Sequence, residues 1–348
     1  MPCLTALVVL FAGTGATAQD SAAGGVAGAR SGAQQLTTAA ATPAGDRLLV
    51  QTINQFERHS SVTARLRHQA SIGGVELYGV GSYWQQGRGE SMRVRMELQI
   101  AGQDASLLQV LNRGFLWVDR RLPNGRTVTR VDLRQLRADP VLSAGELESI
   151  LPGQASWSPI QPEVTVHCGG LSSLLAALGD NFSFLPPQAM RLALAPPTAE
   201  KATNIPVFAV VGHWKPEKQA ALTGESSGLR VEGRESEAEH KLPERLPQEV
   251  LLLVGQADLF PYRIEYRRLE TPRAADEKGG AIPYQLSANP FVVLELSDVT
   301  FDVPIQGGQF DYNPRDVDWV DQTAKLLERL RKQRQAEVAQ RDGAGQAR

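Results

Sequence analysis

Apolar and polar residues alternate on both sides of a glycine-rich turn in the segment YGVGSYWQQGRGESMRVRMEL, residues 78–98. Alternation with a period of two is typical of β-strands that bury one face, so this segment predicts an antiparallel hairpin. In the second strand, the alternation puts arginines and other polar residues on one face and four apolar residues on the other, namely Val94, Met96, Leu98 and Ile100.

The same alternation continues through residues 62–133 and resumes between residues 205 and 303. Apolar residues at helical spacing precede the first of these regions in residues 46–61, and they separate the two regions in residues 169–182. The order of helix, meander, helices and meander predicts one α+β domain that is dominated by an antiparallel sheet.

Glycines at positions 79, 81, 87 and 89 permit a strongly bent or bulged sheet. A helix inside such a bend either completes a filled core or, if it packs loosely, leaves space for an apolar ligand. Tyr78, Val80 and Trp84 share one face of the first hairpin strand. We expect the register across the turn to bring them onto the same side of the sheet as the apolar face of the second strand.

The first residues have the pattern of an export signal. An apolar run from Leu4 to Ala12 is followed by Ala16-Thr17-Ala18, which predicts a signal peptide over residues 1–18 with a cut after Ala18. Residues 19–45 are small and polar and predict a flexible linker. Because no later segment reaches ~18 consecutive apolar residues, we expect no transmembrane segment.

The rest of the chain divides into a folded body and a tail. We expect one domain over residues 46–316, with insertions near 214–247 and 271–282, and a charged helical or disordered tail over residues 317–348. The formal net charge of −2 gives no global basic field, so nucleic acid is not an expected partner.

The sequence contains none of the motifs that would suggest catalysis. It has no G-x-S-x-G, H-E-x-x-H or C-x-x-C motif and no phosphate-binding glycine loop, and its five histidines are scattered. An aspartate cluster at 311–321 lacks the spacing and the glycine of a calcium loop. We therefore expect no catalytic residue, no metal site and no cofactor, and a protein that is not an enzyme.

Only two cysteines occur, Cys3 and Cys168, and Cys3 would leave with the signal peptide. A mature chain with one cysteine cannot form an internal disulfide, and an exported protein without disulfides fits a bacterial periplasm. Cys168 follows the alternating run EVTVH, so we expect it to be buried beside the helix that starts at Gly169-Gly170.

Four stretches carry a resemblance to a known family, and their order along the chain matters more than any one of them. They are HSSVTARLRHQA (59–70), VELYGVGSYWQQGRGESMRVRMEL (75–98), LLQVLNRGFLWVDRR (107–121) and LELSDVTFDVPIQGGQFDYNP (294–314). In this order they resemble the periplasmic lipoprotein-carrier superfamily, LolA-like, which includes LolB- and RseB-type domains. The resemblance covers roughly residues 46–135 and 248–316.

The resemblance implies a fold, a ligand and a set of candidate residues. The fold is a curved antiparallel sheet that forms an unclosed half β-barrel, with helices that cap or fill its concave side. The ligand is a lipid or the acyl chains of a lipoprotein in an apolar cavity. The candidate cavity residues are Tyr78, Val80, Trp84, Val94, Met96, Leu98, Ile100 and Leu116.

In the family, an Arg-Pro pair follows the tryptophan strand and its arginine matters for handing cargo on. Here Arg88 is the nearest candidate for cargo transfer, one residue away from that position and without the proline. The expected function is an exported, periplasmic, non-catalytic binder or carrier of lipidic or acylated cargo. The alternative is an envelope sensor or protein-interaction module with a protein partner, because a simple shuttle needs neither the charged loop at 225–245 nor the helical tail at 318–341.

Overall fold

The structure is a computed structural model that describes residues 44–72, 75–139, 170–194, 203–223, 246–269, 288–332 and 335. The predicted signal peptide, nearly all of the predicted linker, Cys168 and the predicted insertion at 271–282 lie outside these residues.

The described residues form thirteen strands and five helices. The strands are β1 Ser61–Ile72, β2 Val75–Gln86, β3 Arg93–Ile100, β4 Ala105–Asn112, β5 Phe115–Leu122, β6 Gly125–Asp132, β7 Phe182–Phe184, β8 Gln188–Leu194, β9 Thr203–Trp214, β10 Glu249–Gly255, β11 Pro261–Leu269, β12 Ala288–Phe301 and β13 Trp319–Asp321. The helices are α1 Ala44–Phe56, α2 Leu133–Arg137, α3 Gly170–Asn181, α4 Pro216–Thr223 and the helical residues 323–332, which we call α5.

All thirteen strands belong to one sheet, in the order β13-β6-β5-β4-β3-β2-β1-β12-β11-β10-β9-β7, and β8 pairs with β9. Every pair is antiparallel except β13 with β6, which is parallel. Among the described strands the two ends of this order do not pair with each other, so the sheet stays open. This confirms the predicted α+β class with an unclosed antiparallel half-barrel.

Helices α1 and α3 cover one face of the sheet, which we call the inner face. Both are amphipathic: α1 buries Leu48, Leu49 and Phe56, and α3 buries leucines that include Leu175 and Leu178. These side chains form one continuous apolar cluster with residues from β1 to β6 and from β9 to β12. Burial of this cluster is the main source of the stability of the fold.

Gly81 lies on the inner face of β2, where β2 and β3 approach each other unusually closely. A Cβ atom at this position would lie 1.7 Å from the carbonyl oxygen of Glu97, so no side chain fits without a shift of the backbone. This contact is the physical reason for a glycine here.

The chain remains packed beyond residue 316, where the sequence predicted that the domain ends. Residues 302–318, which we call the strap, cross the face of β3–β6 opposite to the helices (the outer face) and bury Phe310 completely. The chain then adds β13 to the edge of β6, and α5 contributes Leu330 to the inner apolar cluster. Residues in the first part of the predicted tail thus contact the described sheet.

The predicted insertion at 214–247 begins at the last residue of β9, Trp214, and includes α4. Trp214 is buried, and its indole Nε1–H donates a hydrogen bond to the carbonyl of Pro247 at 2.7 Å. This hydrogen bond joins the two ends of the segment, while residues 224–245 lie outside the described part of the chain.

Candidate functional site

The register of β2 and β3 decides which candidate residues share a face. Tyr83 pairs with Met96, whereas Trp84 pairs with Arg95 and Val80 pairs with Gln99. The expectation that Tyr78, Val80 and Trp84 lie on the same side as the apolar residues of β3 is therefore wrong. The reason is that the intervening loop, which contains a 3-10 turn at Gly89–Ser91, pairs odd-numbered residues of β2 with even-numbered residues of β3.

The other five candidates do lie together on the inner face. Val94 and Leu116 both stand beside Leu111, in one row across β3, β4 and β5. The candidates that are buried in the inner cluster are Val94, Met96, Leu98 and Leu116, and Ile100 packs against the cluster from a partly buried position. In the described conformation these side chains form a close-packed core together with the helices.

A buried polar contact fixes the start of α3 on the inner face. The Tyr83 hydroxyl donates to Gln85 Oε1 at 2.5 Å, and the backbone N–H of Leu171 donates to the Tyr83 oxygen at 3.1 Å. Burial raises the pKa of Tyr83, so the phenol stays neutral. The sequence analysis missed this contact because its partners are 88 residues apart and no local motif marks them.

His68 is a second polar group on the inner face. It lies between Gly79 of β2 and Leu294 of β12, and it is almost completely buried. Among the described residues its Nδ1 atom has no hydrogen-bond partner, and burial lowers the pKa of the imidazole to about 4. His68 is therefore neutral at physiological pH, because the charged form would be poorly solvated.

A small groove lies across β2, β3 and β4, and Val80, Ser82, Glu97 and Gln99 of the outer face are among its residues. It has a volume of about 270 Å³, and its residues are Val80, Gly81, Ser82, Glu97, Leu98, Gln99, Ser106, Leu107 and Leu108. Beside it, Tyr78 and Val80 are each 44% exposed. Two of the predicted cavity residues thus form an exposed apolar patch on the outer face.

A histidine, a serine and an aspartate meet at the end of β12. His59 Nδ1 lies 2.8 Å from Asp302 Oδ2, while both the backbone N–H and the hydroxyl of Ser60 donate to Asp302 Oδ1. These contacts, with the histidine first, lower the pKa of Asp302 to about 2. In a hydrolytic triad the serine would hydrogen-bond to the histidine, so this geometry joins the start of β1 to the strap and gives no activated nucleophile.

Ionic and aromatic contacts hold the strap on the outer face. Arg126 contacts Asp119 at 2.8 Å and Asp316 at 2.6 Å, and Tyr312 donates its hydroxyl proton to Asp119 at 2.7 Å. The ring of Tyr312 packs edge-on against Trp117 with a centroid distance of 5.7 Å. Desolvation and the Asp119 carboxylate raise the pKa of Tyr312 to about 12.

Arg88, the candidate for cargo transfer, is exposed in the loop between β2 and β3. Its guanidinium donates to the carbonyl oxygen of Arg58 in the turn after α1. It thus joins the hairpin loop to that turn, and its role in transfer stays a prediction.

Two further observations concern the described part of the chain only. No group of three or more histidine, cysteine, aspartate or glutamate side chains there is arranged to hold a metal ion. No helix there has both the length and the apolar character needed to cross a membrane.

No protein-family model matches this sequence, and a sequence comparison with curated proteins finds no match. Solved structures with a similar fold include a putative outer membrane lipoprotein-sorting protein domain from Vibrio parahaemolyticus. That domain is 9% identical, and the match covers 77% of this chain and 96% of that chain with a TM-score of 0.29.

The lipoprotein LppX from Mycobacterium tuberculosis is also 9% identical, over 75% of this chain and 96% of that chain, with a TM-score of 0.32. The MucA/MucB complex from Pseudomonas aeruginosa matches at 10% identity over 77% of this chain and 60% of that chain, with a TM-score of 0.33. A lipoprotein-sorting domain is thus among the structures that match this chain, and all three TM-scores lie below 0.5.

Proposed function

We propose that this protein is an exported, non-catalytic binder or carrier of lipidic or acylated cargo, such as a lipoprotein, in the bacterial periplasm. The observation that supports the proposal is the inner face: an open sheet whose apolar side is covered by short helices. Helices α1 and α3 have 13 and 12 residues, and they lie on an apolar cluster that runs from β4–β6 to β9–β10. An acyl chain can replace the apolar helix side chains against such a surface at little cost in hydrophobic free energy.

In this proposal the described conformation is the one without cargo. The leucines of the covering helices α1, α3 and α5 occupy the place that an acyl chain takes, and binding displaces at least one of these helices from the sheet. Export is part of the proposal because residues 4–18 have the pattern of a signal peptide. Neither a metal ion nor a cofactor is needed for binding of this kind.

Two measurements on the full mature chain test the proposal. The first is lipid extraction and mass spectrometry of protein purified from its native envelope, and the second is titration with a fluorescent acyl probe. We expect a lipid of defined mass to copurify and the probe to bind with saturation. Repeated absence of bound lipid, together with no probe uptake, would refute the proposal.

A matched pair of variants locates the binding surface. Leu98→Trp enlarges a residue of the inner face, whereas Val80→Trp enlarges an exposed residue of the outer face on the neighbouring strand. We expect the probe to lose affinity for the first variant and to bind the second as it binds the parent. Equal binding by both variants would place the probe away from the inner face.

A second candidate function is protein interaction in the cell envelope, which the exposed Tyr78 and Val80 beside the outer groove favour. Deletion of residues 323–348 is not a clean test, because it also removes the buried Leu330. The sharper test is Val80→Asp in an envelope pull-down, with the equally exposed but distant Leu122→Asp as control. Loss of one protein band with the first variant alone supports an interaction through the patch.

A further inference from the structure

Helix α5 covers part of the apolar cluster at the β6 edge of the sheet. Its buried side comprises Thr323 and Leu330, and Leu326 and Leu327 pack against the cluster from partly buried positions. The Thr323 hydroxyl accepts a hydrogen bond from the backbone N–H of Asp132 at 2.8 Å. The helix thus starts at the end of β6 and continues across apolar side chains.

Few residues attach α5 to the sheet. The preceding strand, β13, has three residues and, among the described strands, pairs with β6, whose Arg130 also forms an ion pair with Asp321 and lies over the ring of Trp319. Beyond the strand, the described polar contacts include a hydrogen bond from the backbone N–H of Gln322 to the carbonyl of Arg130 at 2.8 Å, the Thr323 bond and an ion pair at 2.5 Å between Arg331 and Asp139, which follows α2. Segments at the edge of a sheet open at lower free energy than its core.

Arg329 lies at the border between the buried and the exposed side of α5. At 100° per residue, its side chain is about 60° around the helix from Leu326, on the side away from Leu330 and Thr323. It is half-buried, and within the described part of the chain it has neither a hydrogen bond nor an ion pair. Desolvation lowers the pKa of Arg329, although its guanidinium remains protonated at any physiological pH.

The carboxylates near Arg329 in the described structure are paired with other basic side chains, so they do not neutralise its guanidinium. The carboxylate of Glu328 is paired with Lys332 at 2.7 Å, and the carboxylate of Asp139 is paired with Arg331. An arginine that loses water without gaining an acidic partner is unfavourable, and no carboxylate of the described residues pairs with Arg329. A bound anionic group would complete its coordination.

We propose that Arg329 binds the anionic headgroup, a carboxylate or a phosphate, of an amphiphile whose acyl chain lies beneath α5 against the inner face. This inference rests on the proposed function and narrows the cargo to amphiphiles with an acidic headgroup. The planar guanidinium matches both headgroups, because each offers two oxygens to its paired N–H donors. The apolar cluster next to Leu326 and Leu330 receives the chain, while the helix border keeps the headgroup close to water.

Titrations of the full mature chain with three fluorescent probes of equal acyl length test this inference. The probes are a long-chain fatty acid, a phosphatidic acid and a neutral monoacylglycerol. The variants are Arg329→Gln, Arg329→Lys and, as a matched control, Lys325→Gln, which removes a charge from the exposed side of the same helix.

We expect Arg329→Gln to weaken binding of an acidic probe about tenfold or more at low ionic strength and to leave the neutral probe unchanged. Arg329→Lys should retain part of the affinity, and Lys325→Gln should retain all of it. Whichever acidic probe responds identifies the headgroup as carboxylate or phosphate. The thermal midpoint of Arg329→Gln should equal or exceed that of the parent, because Arg329 loses no partner among the described residues.

Other outcomes overturn the inference in distinguishable ways. If the parent binds acidic and neutral probes equally and Arg329→Gln changes neither, the headgroup site is refuted while lipid binding stands. If no probe binds the parent, the proposed function fails, and the inference fails with it. If Arg329→Gln lowers the thermal midpoint and weakens all three probes alike, Arg329 has a structural role only.

Discussion

Tyr83 stands directly opposite Met96 in the ladder between β2 and β3, and both side chains are buried under the helices. The Tyr83 hydroxyl also accepts the first free N–H of α3, from Leu171, and donates to Gln85. One residue of the sheet therefore combines apolar packing with the positioning of a helix. Loss of its hydroxyl would leave Gln85 and a helix N–H without a partner in a dry environment.

The first expectation concerns this hydroxyl. Tyr83→Phe should lower the free energy of unfolding by about 1–3 kcal/mol, because buried polar groups lose their hydrogen bonds while the ring is kept. Urea denaturation measures the change. Tyr78→Phe, at an exposed position of the same strand, should stay within about 0.5 kcal/mol of the parent. Equal effects of the two variants would mean that the contact with α3 does not form.

The strands and helices could be predicted from the sequence because periodicity reports on burial at each position. The face of each residue in β2 could not be predicted in the same way. Large aromatic residues occur on both faces of β2, with Tyr83 on one face and Trp84 on the other. The sequence pattern therefore fits either face as the buried one. The loop geometry between β2 and β3 decides between them, and that geometry includes positive φ values at Gly87 and Gly89.

The strap and the border position of Arg329 were not predicted for a different reason. The strap has no apolar period, and its contacts join residues far apart in the chain, such as Asn112, whose amide donates to the Phe310 carbonyl at 3.1 Å. Arg329 has no ion pair in the described structure because of the residues that surround it in the folded chain. No local pattern reports such features.

A larger side chain on the inner face should lower the free energy of unfolding. Met96 is fully buried, so Met96→Trp should lower the free energy of unfolding by roughly 1–3 kcal/mol through overpacking. Chemical denaturation gives the midpoint, and acyl-probe titration of parent and variant shows whether binding changes with it. Lost binding with an unchanged midpoint would indicate an open cavity. A lower midpoint together with no binding by the parent would mean that the inner face is only a core.

The close contact at Gly81 should be sensitive to a single methyl group. Gly81→Ala puts a Cβ atom against the Glu97 carbonyl oxygen, so we expect a loss of about 3 kcal/mol from the free energy of unfolding. Gly308→Ala is the matched control, since a Cβ there meets no atom within 4 Å. If Gly81→Ala is as stable as the control, β2 and β3 do not approach as closely as described.

The strap should contribute to global stability rather than behave as a tail. Phe310→Ala removes a ring that is 0% exposed, and we expect a loss of about 3–5 kcal/mol in urea denaturation. Val303→Ala, in the same segment but 39% exposed, should cost less than about 1 kcal/mol. Parent-like stability of Phe310→Ala would show that the outer face does not depend on the strap.

Low pH should destabilise the folded state through protonation of His68. Its folded-state pKa of about 4 lies below the ordinary value of 6.5, so the unfolded chain binds a proton more readily between these two values. The stabilising contribution of the neutral imidazole is therefore fully present above pH 6.5 and is lost as pH falls towards 4, with a total of about 3 kcal/mol. Asp302, with a pKa of about 2, acts only at lower pH.

His68→Leu removes this titration while it keeps an apolar side chain of similar size on the inner face. Urea denaturation of parent and variant at pH 7 and pH 5 isolates the effect, because the other titrating groups are common to both. We expect the parent to lose roughly 2 kcal/mol more than the variant over this interval. Parallel losses in the two proteins would mean that His68 is accessible to water in the folded state, which would also open the inner face beside Gly79 to solvent or ligand.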